Sequence, residues 1–375
     1  MTPPASNAMV RARGQSDMLG RRFLGLFFDK ATPETKGNRR LTTDESLLDP
    51  SELTYRHIWR QLRKAGLAPH PTDRGRANVL VLQMGKVASK SIRAALNQHE
   101  LNVFHSHGLS NARQDRDLDR IRRSDLNVDL VTQRVSEYGQ YLCLHVLVRW
   151  YRENKTRHGR KLKVIALTRD PVTRIPSSFM QHRGVATAQI QAWQRARLGS
   201  DPAVVIDDSV ALRDFVTEVA SIIVEGRPSS GPDGCQACER LARERWPGHY
   251  VVEEEIGQWL RPLTWFDAEI RSIFGVDVLA AATGLAERGW VEASTDCAEI
   301  LVLQFEQLGT LAAELARFME LPDVTLAIRN ATSDKHHAAE TVAIINDALD
   351  TPVGRACIQE LRSSRYAQAC GYGAV

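Results

Sequence analysis

The sequence predicts an α/β protein with a central, mainly parallel β-sheet flanked by helices. Three observations carry that expectation. Asn78–Gln83 and Leu162–Thr168 are continuous apolar runs without the alternation of a half-buried strand, so they read as strands covered on both faces. Strand-like and helix-like segments alternate along the chain. Each of the two apolar runs also leads into turn chemistry that opens a helix.

Taken in order, residues 1–48 are rich in Arg, Pro, Thr and Ser and read as a poorly ordered arm. Residues 49–375 read as one α/β domain with helical insertions. Asp49-Pro50 supplies an N-cap and a first-turn proline, and Leu53, Ile58, Trp59 and Leu62 give that helix an apolar face ending near Gly66. After a Pro/Gly/Arg-rich link at 69–76 comes the first strand, then a helix from Ser89 to about His99 and a strand over Leu101–His105. Helical material fills 112–156. Leu162–Thr168 is the next strand, and Asp170-Pro171 is a second cap-plus-proline helix start. Stretches 199–208 and 226–234 read as surface loops around a helix at 209–224. A late strand runs from Glu299 to Phe305, with helices at 307–319 and 334–348.

The composition is that of a globular protein: 375 residues, 43% hydrophobic and 25% charged, with a net charge of +4. That charge suits an anionic ligand in one cleft and argues against a nucleic-acid surface, which calls for a concentrated basic patch. No apolar run reaches the roughly 20 residues a bilayer span needs. The apolar run Phe23–Phe28 reads as buried, with peripheral membrane contact through the arm as the alternative. Six scattered cysteines fit a reducing compartment, so the chain is expected in the cytoplasm. Cys235 and Cys238 have CxxC spacing, read as two loop thiols, with a zinc knuckle or redox pair as alternatives.

The first strand runs into Met84-Gly85-Lys86-Val87-Ala88-Ser89-Lys90-Ser91. A strand, a tight turn and a helix N-terminus aim backbone N–H groups and the positive end of the helix dipole at one point. The small residues Gly85, Ala88 and Ser89 let the backbone close around an anion. Lys86 adds charge, and Ser89 and Ser91 add hydroxyls. The nucleotide-loop pattern GxxxxGK[ST] is not met: the second Gly is missing, and Val87 follows Lys86 where a magnesium-binding Ser or Thr would stand. The segment Lys86-Val87-Ala88-Ser89 resembles the 5′-phosphosulfate loop of carbohydrate sulfotransferases. Here Gly85 replaces a common Pro, and Lys90 replaces a common Thr.

Arg169-Asp170-Pro171-Val172-Thr173-Arg174-Ile175-Pro176-Ser177-Ser178-Phe179 forms the second half. Arg169 leaves the end of a strand, Ser177 lies two helical turns on, and a guanidinium fork suits phosphate. The pattern Arg-Asp-Pro-x-x-Arg-x-x-Ser-x-Phe resembles the 3′-phosphate site of sulfotransferases. The resemblance implies the P-loop-like sulfotransferase fold, with 3′-phosphoadenosine 5′-phosphosulfate (PAPS) as co-substrate and no metal. By the same resemblance Gly85, Lys86, Val87, Ala88, Ser89, Lys90 and Ser91 bind the 5′ end. Arg169 and Ser177 bind the 3′-phosphate, and Arg174 supports the site. Both loops follow strand C-termini, where open α/β sheets bind ligands.

Segments Leu263–Ile270, Phe274–Val278, Phe305–Leu308 and Asn330–Lys335 are similar to the capsular-polysaccharide-synthesis family of bacterial sulfotransferase-like proteins, which implies a glycan hydroxyl as acceptor. Lys86 is then expected to stabilise the leaving phosphate oxygen. His107, with His105 beside it, is expected to take the acceptor's proton, because an ordinary imidazole titrates near ~6.5. His105-Ser106-His107 resembles the His-x-His of uronyl 2-O-sulfotransferases. Phe104 in the core would turn His105 to the opposite face of the sheet, leaving His107 freer to act. Glu306 and Glu255 are the carboxylate alternatives. Competing readings are a nucleotide-dependent kinase and a non-catalytic scaffold in polysaccharide assembly.

Overall fold

The computed structural model describes residues 77–85, 87–110, 144–145, 147–153, 161–199, 206–282, 284–326 and 338–373. The N-terminal arm, the helix expected at 49–66 and most of the helical stretch 112–156 lie outside the described residues; residues 147–153 are helical, as that stretch requires.

The chain divides into two compact units. The smaller comprises Met1–Val79, Glu100–Leu162 and Asp296–Ala298, and the larger comprises Leu80–His99, Lys163–Thr295 and Glu299–Val375. The strands are β1 (Asn78–Leu82), β2 (Asn102–Ser106), β3 (Leu162–Thr168), β4 (Trp290–Ser294) and β5 (Ala298–Gln304), in the order β2-β1-β3-β5-β4. The architecture is α/β, with a mostly parallel five-stranded sheet flanked by helices. Every residue of β1 is buried, and β3 is buried at all but Lys163. That is why neither strand alternates in sequence: strands covered on both faces have no solvent side to mark.

The helices that follow the first three strands are α1 (Ser89–Leu96), α2 (Arg174–Leu198), α3 (Asp208–Gly226) and α4 (Pro232–Arg245). After α4 come α5 (Tyr250–Trp265), α6 (Ala312–Met319), α7 (Ala338–Leu349), α8 (Pro352–Arg362) and α9 (Arg365–Ala369). The helical core of the larger unit gathers Trp193 from α2, Phe215 and Ile222 from α3, Trp259 from α5, Ile345 from α7 and Leu361 from α8. Phe215 meets Trp193 edge-to-face at 5.3 Å, a geometry that aromatic rings prefer to a face-to-face sandwich.

Three expectations need correction. The segment 226–234 is not a surface loop: after a 3₁₀ turn at Pro228–Ser230 it enters α4 with Pro232 in the first turn. Cys235 and Cys238 therefore sit on a helix and are buried in the core with Cys357. Burial pushes both the Cys235 and the Cys238 thiol up to about 12, so they stay protonated and act as small apolar side chains. Gly226 lets the end of α3 approach α4 closely, since a Cβ there would stand 2.3 Å from Cys238 Sγ. Second, β4 is a strand that the sequence reading lacked; it pairs antiparallel with β5, Trp290 opposite Leu303 and Ser294 opposite Glu299. Third, α2 begins at Arg174, because Pro171–Thr173 form a turn. Asp170 is therefore not the cap of α2, whose N-cap is Thr173 without a side-chain cap bond; its Oδ1 closes the preceding turn, accepting from the N–H of Val172 at 2.7 Å and of Thr173 at 3.3 Å. Among the described residues no helix is long and apolar enough to cross a membrane.

Candidate functional site

The first loop is shaped by its backbone. Past β1 the chain turns at Gly85, whose φ of 95° lies in the region that favours glycine. Gln83, wholly buried, accepts the Gly85 N–H at Oε1 over 2.5 Å. Ala88 then adopts φ 57° and ψ 23° as the N-cap of α1 and makes no side-chain cap bond. A left-handed conformation costs a residue with a Cβ about 1–2 kcal/mol, so the strain at Ala88 has to be held by its surroundings. The first turn of α1 carries no acidic residue that would oppose an anion at this N-terminus. Ser89 and Ser91 are buried, Val87 is fully buried in the core, and Lys90 points to solvent. Lys86 lies outside the described residues.

The second loop is shaped by side chains. Arg169 Nη2 donates to Ser177 Oγ and to the Thr173 carbonyl, both at 3.2 Å, so the two residues that the sequence paired are in direct contact. The Arg169 guanidinium lies 4.4 Å from the centre of the Phe305 ring, in cation–π contact with it. Burial lowers its pKa, opposed by the charges of Glu306 and Asp170, and an arginine remains protonated regardless.

Several residues brace this loop that sequence reasoning did not name. Tyr366 Oη accepts the Arg169 N–H at 2.9 Å and donates to the Arg169 carbonyl at 2.8 Å, serving both backbone groups of one residue. Glu306 Oε1 accepts the Asp170 N–H at 2.9 Å, while its Oε2 accepts from the Tyr372 hydroxyl at 2.6 Å. Arg362 pairs with Asp170 Oδ2 at 3.0 Å. Glu306, a carboxylate alternative for the base, therefore has both oxygens engaged in bracing. A Tyr-rich chain end was the only sequence signal of this latch, and nothing local to Arg169 points to it.

Arg174 joins the two loops of the larger unit. It is 1% exposed. Its Nε donates to the Gly85 carbonyl at 3.2 Å, and its Nη1 and Nη2 donate to Gln258 O at 2.6 Å and Gln258 Oε1 at 3.4 Å. Burial lowers its pKa to about 10, which leaves it cationic at neutral pH. Near it, burial raises the Glu255 carboxyl to about 7; a hydrogen bond from Trp259 Nε1 at 2.9 Å and the Arg174 charge pull the other way, while Glu254 adds to the rise. Glu255 is only half-buried as a residue, but its carboxyl group is turned inward.

His105 and His107 belong to the smaller unit. Their rings meet edge-to-face at 5.0 Å, with His105 half-buried and His107 exposed. The premise for dividing them does not hold, since Phe104 is half-buried and not a core residue and the two imidazoles are in contact; His107 does lie past the end of β2 and is the more exposed of the two. Ser106 Oγ donates to the Gly108 carbonyl at 2.7 Å and closes the turn behind them. In the same unit His145 is kept neutral mainly by burial, opposed by its hydrogen bond to the Leu109 backbone. Among the described residues no cluster of three or more His, Cys, Asp or Glu side chains suits a metal ion.

No protein-family model matches this chain, and neither a curated protein nor a solved structure does.

Proposed function

We propose that the chain is a sulfotransferase that moves a sulfuryl group from PAPS to an acceptor hydroxyl, with a glycan as the acceptor class. The observation that carries the reading is the Arg174 bridge. It ties Gly85 of one anion-type loop to the helix that bears Ser177, and Ser177 in turn contacts Arg169 of the other. A donor with a phosphosulfate at one end and a phosphate at the other needs two such places in one unit.

In this reading the backbone of 85–91 and Lys86 hold the phosphosulfate, and Arg169 with Ser177 holds the 3′-phosphate. The acceptor oxygen bonds to sulfur as the sulfur–oxygen bond to the 5′-phosphate breaks, and adenosine 3′,5′-bisphosphate leaves. Lys86 offsets charge on that leaving oxygen, and His107 or its neighbour His105 takes the acceptor's proton.

The reading is tested with the donor's product. Calorimetry should show adenosine 3′,5′-bisphosphate binding without magnesium and more tightly than AMP. In Arg169→Ala the bisphosphate should lose about 1.5–3 kcal/mol of affinity, the range for hydrogen bonds to charged groups, while AMP changes little. Equal affinities for the two ligands, or a strict need for magnesium, would turn the assignment toward a nucleotide-dependent kinase.

A further inference from the structure

Pro262 lies inside α5, three residues before its last residue Trp265. A proline has no N–H, so within a helix the carbonyl four residues earlier loses its donor. For Pro262 that carbonyl belongs to Gln258. The oxygen so released is the one that Arg174 Nη1 occupies at 2.6 Å, the shortest of the three hydrogen bonds that hold the guanidinium. The same Gln258 offers its side-chain oxygen to Nη2 at 3.4 Å. The third bond, from Nε, reaches the carbonyl of Gly85 in the anion-type loop.

The direction of that last bond matters for an anion. A backbone carbonyl carries partial negative charge, and a loop that receives phosphate must turn its carbonyls away and its N–H groups inward. Gly85 has a backbone free to rotate, with φ at 95°, so an external contact has to fix which way its carbonyl faces. Arg174 is that contact. It is almost fully buried, so water does not compete for Gly85 or Gln258. All three of its acceptors are neutral oxygens, which leaves the positive charge of the guanidinium beside the loop.

We infer that Pro262 is a positioning residue for the anion loop: it frees the Gln258 carbonyl to anchor Arg174, and Arg174 holds the Gly85 carbonyl away from the bound anion. The inference rests on reading 85–91 as the donor's phosphate loop. It adds a cause, seated in a different helix, for the conformation of that loop.

Pro262→Ala tests it, because alanine restores an N–H that competes with Arg174 for the Gln258 carbonyl while favouring the helix. The full chain is followed by thermal melting, by hydrogen exchange of the backbone amides of 87–91, and by calorimetry with adenosine 3′,5′-bisphosphate. The expected result is an unchanged or higher melting temperature, faster exchange at 87–91 and binding weakened about 5–10-fold. A residue that only shapes its helix would leave exchange and affinity as they were, and that result overturns the proposal. Should Pro262→Ala melt early, Arg174→Lys decides by the same exchange and binding measurements, since one ammonium cannot span Gly85 and Gln258. If the unmodified chain does not bind the bisphosphate, the donor reading falls, and exchange at 87–91 alone decides whether the tether exists.

Discussion

Residues 83–91 and residues 168–177 do comparable work by different means. The first loop takes its shape mainly from residues close in sequence: Gly85 and Ala88 have positive φ, and the Gly85 N–H is met by Gln83 two residues away, with Arg174 as a remote tether on the Gly85 carbonyl. The second takes its shape from partners 136 to 197 positions distant, with Glu306 and Tyr366 serving its backbone and Arg362 its turn-closing aspartate. A loop of the first kind is written in adjacent letters. One of the second kind is completed only when the chain end folds onto it. The difference also weights their failure modes: backbone strain and the loss of one tether, Arg174, threaten the first, and the loss of any of several remote side chains threatens the second.

The largest effect expected from breaking this contrast is at Tyr366. Tyr366→Phe keeps the ring, which stacks on Phe266 at 5.9 Å, and removes only the hydroxyl. The N–H and carbonyl of Arg169 then lose their partner together, and each unsatisfied group costs about 1–3 kcal/mol, so roughly 2–6 kcal/mol of stability should be lost in a denaturant titration. Bisphosphate affinity should fall with it, since the Arg169 fork hangs from that backbone. A variant as stable as the parent would mean that water replaces the hydroxyl and that the chain end is not a brace.

That asymmetry explains what could be read from the sequence. Both buried strands, the α1 start at Ser89 and the pairing of Arg169 with Ser177 were legible because each depends on residues within about one or two turns of one another. The helix at Pro232 was missed because Gly231, Pro232 and Gly234 look like loop punctuation, whereas Pro232 occupies a first turn that needs no N–H. β4 was missed because an exposed edge strand of five residues has no two-sided apolar run to announce it. Arg174 was legible as a supporter but not as a bridge: its acceptors are main-chain oxygens at Gly85 and Gln258, and no residue identity marks a carbonyl. Pro262 is the one letter that hints at the second of them.

A smaller effect, and one with a pH signature, belongs to the carboxyl beside that bridge. Glu255 is raised by burial from its ordinary 4.5 to about 7. A raised folded-state value means that the group favours the fold while protonated: its contribution is complete below pH 4.5 and is lost as pH climbs through about 7. Glu255→Gln keeps an oxygen for Trp259 Nε1 and does not ionise. Its melting temperature should match the parent at pH 4 and exceed it at pH 8 by ~2–4 °C, the response of a large domain to about 1 kcal/mol. A gain of equal size at both pH values would show that packing and not ionisation is responsible.

The smallest expected effect isolates the backbone half of the comparison. Ala88 caps α1 in a left-handed conformation with φ 57°, where a Cβ costs about 1–2 kcal/mol and glycine nothing. Ala88→Gly removes that strain but enlarges the unfolded chain's freedom, which takes back about 0.5–1 kcal/mol. The net gain should be about 0.5–1 kcal/mol in a denaturant titration. If the strain at Ala88 is what keeps the N–H groups of α1 aimed at an anion, the gain in stability should come with weaker bisphosphate binding, because a glycine no longer confines the turn to one shape. Ala88→Val should do the opposite to stability, since branching at Cβ makes a positive φ still less tolerable. Should Ala88→Gly lose stability, the surrounding packing of the alanine methyl outweighs its strain, and the first loop is held by side chains after all.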